Sequence, residues 1–130
     1  MKKFLGILVL SLLFISSSSY AEWTKVSVNV DGDTYYIDKR SLKIVGDTVY
    51  GYVLADYATP NSYGDLSSKS YRQVNCKNMK YKDFVKDYFR MPLGEGDPTS
   101  GSGPVKEPKW RSFSPGSSGH VILKHVCKLR

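Results

Sequence analysis

Lys80-Tyr81-Lys82-Asp83-Phe84-Val85-Lys86-Asp87-Tyr88-Phe89 admits two readings, and the fold turns on the choice. Its apolar residues Tyr81, Phe84, Val85, Tyr88 and Phe89 stand at i, i+3, i+4, i+7 and i+8, the spacing of one face of an amphipathic helix. Its tyrosines and phenylalanines equally suit a strand. Periodicity taken alone predicts a helix over 80–89.

The residues before it read as strands. Trp23 to Val30 alternates, with Trp23, Lys25, Ser27 and Asn29 on one side and Thr24, Val26, Val28 and Val30 on the other. Asp31-Gly32-Asp33 is a turn signal, and Thr34 to Asp38 is β-branched and aromatic, so a hairpin is expected. Ser41 to Val45 leads to a second turn at Gly46-Asp47. Thr48 to Tyr57 is the longest β-like run, and its Gly51 marks a bulge or a close approach. Ala58 to Gly64 is a loop. Leu66 to Cys76 is polar but β-compatible, as expected of a strand with one face to water.

Beyond Phe89 the pattern changes. Leu93 to Lys109 carries Gly94, Gly96, Pro98, Gly101, Gly103, Pro104 and Pro108, and is read as a flexible loop without regular structure. Ser114 to Ser118 offers a helix N-cap. A terminal helix from Gly119 would align Ile122, Val126 and Leu129, with Leu123 and Cys127 beside them and Lys124 and Lys128 opposite.

The N-terminus is a targeting segment by its pattern. Lys2 and Lys3 precede an apolar run from Phe4 to Ile15, and Ser19 and Ala21 occupy the −3 and −1 positions of a cleavage site before Glu22. Residues 1–21 are therefore expected to be a signal peptide, and residues 22–130 a single mature domain in the periplasm or at the cell surface. The apolar run is shorter than the roughly 20 residues a membrane-spanning helix needs, and none long enough follows. Removing Lys2 and Lys3 from the 19 basic residues leaves 17 against 12 acidic ones, a charge of +5 spread without long runs. Two cysteines in an exported chain most often pair. A bond between Cys76 and Cys127 would close 51 residues and stabilise by about 4 kcal/mol.

A search for reactive chemistry finds little. His120 and His125 would diverge by about 140° on a helix, and no zinc-type spacing is present. Asp31 and Asp33 are explained by turn geometry. The sequence contains no GxSxG motif or phosphate-cradling glycine loop. Catalytic residues, metal ligands and cofactor are accordingly read as none, and the ligand-binding residues stay unknown.

The order of the signals resembles the surface-adhesin protein E family. A tryptophan follows the signal segment (Trp23); then come Tyr35-Tyr36-Ile37-Asp38, a Gly-Asp turn, and a long strand ending in Asp56-Tyr57 with Pro60 soon after. Ser67-Ser68-Lys69-Ser70 leads to Cys76, and Trp110, Pro115-Gly116-Ser117, a short helix and Cys127 complete the set. The resemblance implies an α+β domain: an antiparallel sheet of about five or six strands with a C-terminal helix tethered by the disulfide. It also implies that 80–89 is a strand paired with 66–76, and the short turn at Lys77-Asn78 agrees. Members studied as adhesins bind host matrix and serum proteins at the cell surface. The resulting expectation is a non-enzymatic binding module with protein ligands and no specific nucleic acid partner. The alternative is a periplasmic envelope-maintenance protein without an extracellular ligand.

The dispersed charge predicts weak polyanion binding, because exposed charges more than about 10 Å apart are screened near 0.1 M salt. The mature domain should leave a heparin column at modest ionic strength. Retention near molar salt would reveal a dedicated anion site.

Overall fold

A computed structural model describes residues 22–130. The expected signal peptide, residues 1–21, lies outside the described residues. The elements are β1 (Trp23–Val28), β2 (Thr34–Asp38), β3 (Lys43–Val45), β4 (Thr48–Asp56), β5 (Ser67–Asn75), β6 (Lys80–Phe89), β7 (Gly103–Pro104) and α1 (Ser118–Lys128). The strands form one antiparallel sheet in the order β1-β2-β4-β5-β6-β7, with β3 beside the start of β4. The expected α+β class holds. The strand count rises to seven because β3 and β7 are only three and two residues long.

Residues 80–89 are a strand paired along β5, so the helix that periodicity predicts is corrected. The reason is a bulge. Tyr71 pairs with Val85 but Arg72 pairs with Asp83, leaving Phe84 as the extra residue. Side chains of a strand share a face at even separations, and the bulge reverses that parity. Tyr81 and Asp83 before it, with Lys86 and Tyr88 after it, oppose Val74, Arg72, Ser70 and Ser68 on one face. Val85 and Phe89 take the other. The bulge thus lets Tyr81 and Tyr88, seven residues apart, share a face that a regular strand would deny them, while Val85 and Phe89 lie opposite.

β5 is a central strand that alternates as expected of one with a face to water: Lys69, Tyr71, Gln73 and Asn75 are half-buried. Its other face is buried yet polar, with Ser68, Ser70 and Arg72 on it, and Ser67 at its start is buried as well. Ser67 and Ser68 find local partners, Ser68 accepting from the Tyr57 hydroxyl at 2.8 Å. The Ser67 hydroxyl donates to the Met91 carbonyl at 2.6 Å and accepts from the Gly94 amide at 2.9 Å. In β1 a bulge between Lys25 and Ser27 breaks the alternation, so Val28 faces solvent instead of the core, and Val30 is exposed in the turn that follows. Gly51 marks a close approach: a Cβ there would lie 2.5 Å from Leu42 Cδ2.

One end of the sheet carries two matching turns, Asn29-Val30-Asp31-Gly32-Asp33 and Asn61-Ser62-Tyr63-Gly64-Asp65. In each, the asparagine Oδ1 accepts the amides two and four residues on, and its Nδ2 donates to the aspartate Oδ2 at 3.1 Å. The glycine of each has positive φ, +88° and +84°, a conformation that favours glycine.

The Gly/Pro-rich segment is hydrogen-bonded along the outer edge of β6. Thr99 N donates to Tyr88 O at 2.8 Å, Val105 N to Phe84 O at 2.9 Å, and Tyr81 and Arg111 exchange both backbone bonds. β7 sits within it. The expectation that 93–109 lacks regular structure is corrected: low burial capacity does not prevent a segment from pairing with an open edge, where backbone groups supply the partners.

The helix begins as expected. Ser117 caps it by accepting the His120 amide, and Ile122, Leu123 and Val126 are buried against Ile37, Val49, Val53 and Val74. Leu129, expected on that face, is partly exposed beyond the last turn. Burying each such side chain fully stabilises by about 1.5–3 kcal/mol. Cys127 of the last turn is bonded to Cys76, which directly follows β5.

Edge docking predicts that the amides of Thr99 and Val105 exchange slowly in the native domain, while those of Asp97 and Gly101 exchange freely. Equal, fast exchange across 93–109 would show that the pairing does not persist in solution.

Candidate functional site

The helix covers only part of its face of the sheet. Beside its N-terminal end lies a cleft of about 250 Å³, floored by β2, β4, β5 and β6. Arg72 stands at its centre. Its Nε and Nη2 donate to the two carboxylate oxygens of Asp83 at 2.7 and 3.2 Å, a bidentate pair that the β6 bulge places across the ladder. The guanidinium also lies over the Tyr81 ring at 4.4 Å and near the Phe113 ring at 5.6 Å. Tyr81 and Phe113 stack in parallel with centroids 4.3 Å apart. Arg72 is 8% exposed, and its Nη1 is buried without a hydrogen-bond partner among the described residues. A buried donor left unpaired is rare and costs free energy.

Hydroxyls line the remainder. Tyr57 donates to Ser68 Oγ at 2.8 Å, and Asn29 Nδ2 donates to the Tyr35 hydroxyl at 3.2 Å. Burial chiefly pushes the Tyr35, Tyr57 and Tyr81 phenols above their ordinary pKa of 10.0. The charge of Asp33 adds to this at Tyr35 and that of Asp83 at Tyr81, while Arg72 opposes it at Tyr81. All three therefore remain neutral hydroxyls through the physiological range. Lys86 enters from β6, and Val53, Ala55 and Ile122 give one wall an apolar character. The cleft can offer charge, hydrogen bonds and aromatic faces; among the described residues no thiol or imidazole lines it.

A second cleft, of about 530 Å³, lies between the Asn61–Asp65 turn and Thr99–Gly101. Buried Asp65 is held there with Arg90 Nε 3.2 Å from its Oδ1. The residues singled out from sequence lie elsewhere. Cys76 and Cys127 sit at the opposite end of α1 from Gly119, which borders the first cleft. His120 accepts the Gly116 amide through Nδ1 at 3.3 Å. Among the described residues, no group of three or more histidine, cysteine, aspartate or glutamate side chains is placed to hold a metal ion. Sequence reasoning missed Arg72 because a lone arginine in a serine-rich strand reads as a solvated residue. Its one signal was the opposed Asp83 across a hairpin, visible only once the register is known.

A family model described as surface-adhesin protein E matches residues 23–128. The chain belongs to the surface-adhesin protein E family. Solved structures of Haemophilus influenzae protein E share its fold. One crystal form is 19% identical, with 87% of this chain and 92% of that chain covered at a TM-score of 0.63. The protein from a non-typeable strain is 16% identical over 87% of this chain and 77% of that chain, with a TM-score of 0.54. No curated protein matches this adhesin-family chain significantly. Among the described residues of this family member, no helix is long and apolar enough to cross a membrane.

Gly119 lets the Phe113 ring pack against the start of α1. A side chain there would overlap the Phe113 ring. In an unobstructed helix, Gly→Ala would stabilise by about 1 kcal/mol. Here Gly119→Ala is expected to destabilise by about 1–3 kcal/mol, because displacing a packed ring outweighs the helix gain. Thermal denaturation checks it, and a raised Tm would show that Phe113 steps aside freely.

Proposed function

We propose that the mature domain is an exported, non-enzymatic binding module displayed at the cell surface, where it captures extracellular proteins. Membership of the surface-adhesin protein E family over nearly the whole mature chain carries this reading. The N-terminal segment, with its basic start, apolar run and small-residue cleavage site, supports export. The cleft supports binding over catalysis. Its arginine is already committed to a carboxylate, its tyrosines are held neutral by burial, and among the described residues its lining includes none of the thiol or imidazole groups that commonly activate a nucleophile.

Protease treatment of intact cells tests display. The domain should be cleaved while a periplasmic marker stays intact, and the purified domain should be retained on immobilised matrix or serum proteins. Complete protection from protease would overturn surface display and favour the periplasmic envelope-maintenance role.

A further inference from the structure

We propose that the cleft beside the N-terminal end of α1 is a carboxylate-binding site, with Arg72 and Lys86 as its cationic residues. Asp83 occupies the Nε–Nη2 edge of the Arg72 guanidinium, and Nη1 has no partner among the described residues although the residue is 92% buried. An arginine so placed has donors that the protein itself does not use. Lys86 stands on the same face, opposite Ser70, two positions along β5 from Arg72. Two cations against the single carboxylate of Asp83 leave the cleft one positive charge in excess. That balance suits a monoanion; a dianion would meet repulsion from Asp83.

Size and lining narrow the class further. A volume of about 250 Å³ lies below the roughly 300–1,000 Å³ of pockets for drug-sized ligands. It admits a small carboxylic acid or one acidic side chain. The hydroxyls of Ser68 and Ser70 can bond the second oxygen, while Val53, Ala55 and Ile122 can pack against a short hydrocarbon stem. A neighbouring groove of about 230 Å³ shares Tyr81, Asp83 and Lys86 and adds Glu107, Lys109 and Arg111; its three cations against two carboxylates leave a net positive path along which a longer ligand can leave the cleft. The shared chemistry is therefore a carboxylate, carried either by a free small acid or by an acidic side chain of a protein. The second source rests on the extracellular-protein reading above; the first does not.

The test is amide NMR titration of the mature, disulfide-bonded domain with three probes: sodium acetate, N-acetyl-glutamate N-methylamide, and its glutamine counterpart. Saturable shifts of the Arg72 side-chain Nε–H and of the Ser70 and Lys86 amides are expected with the two anions and not with the neutral probe. Lys86→Gln, a half-buried position outside the Arg72–Asp83 pair, should weaken binding about tenfold. This variant keeps the proposal testable where Arg72→Gln fails to fold. Similar affinities for both anions would support a free acid as ligand. Blocked glutamate binding tenfold or more tightly than acetate would support an acidic side chain. No saturable shift at Arg72, an equal response to the neutral probe, or unchanged binding by the Lys86→Gln protein would overturn the site. Surface display is read separately by protease accessibility and stands or falls without this result.

Discussion

Arg72 and Asp83 meet across the β5–β6 ladder at the bulge around Phe84, and much of the molecule's polar architecture follows from that contact. The bulge reverses the facing of β6, so Tyr81 and Asp83 share a side with Lys86 and Tyr88. Without it, Tyr81 could lie under Phe113 only if Lys86 faced the other way. The pair itself is largely desolvated, with side-chain exposures of 10% and 19%. Buried ion pairs of this kind often contribute little net stability relative to apolar packing, although removing one partner costs several kcal/mol. A bidentate pair with one guanidinium edge unused is therefore better understood through what it presents than through what it stabilises.

Around that polar centre, stability comes from two other sources. The apolar face of α1 packs on β2, β4 and β5 through Ile122, Leu123 and Val126, and the disulfide ties the far end of the helix to the end of β5. Fixing the C-terminal end of the helix leaves its N-terminal end, at Gly119 and Phe113, as the border of the cleft. The core is packed at one end of the helix, and the polar site opens at the other.

The strap from Thr99 to Arg111 adds a second constraint. It pairs with β6 at Tyr88, Phe84 and Tyr81, satisfying edge groups that would otherwise be open to another chain. A sequence poor in apolar residues is suited to this task, because it can supply backbone hydrogen bonds without competing for the core. The same segment lines the groove beyond Lys86, so edge protection and the approach to the cleft share one piece of chain.

The sequence by itself determined the α+β class, most strand positions, a serine cap ahead of the C-terminal helix, and the pairing of the two cysteines. Most of these rest on local chemistry: alternation, turn residues, a capping hydroxyl. The tertiary structure decided what depends on register. Residues 80–89 carry a helical period, yet pairing with β5 makes them a bulged strand that divides those apolar residues between its two faces. The serines of β5 look solvated, yet Ser67, Ser68 and Ser70 are buried, and Val28 looks buried until the β1 bulge turns it outward. The cleft belongs to the same class of fact. Arg72, Lys86, Tyr57 and Phe113 are scattered along the chain, and no local pattern links them. They meet because hydrogen-bond register and one extra residue set which side of the sheet each side chain takes.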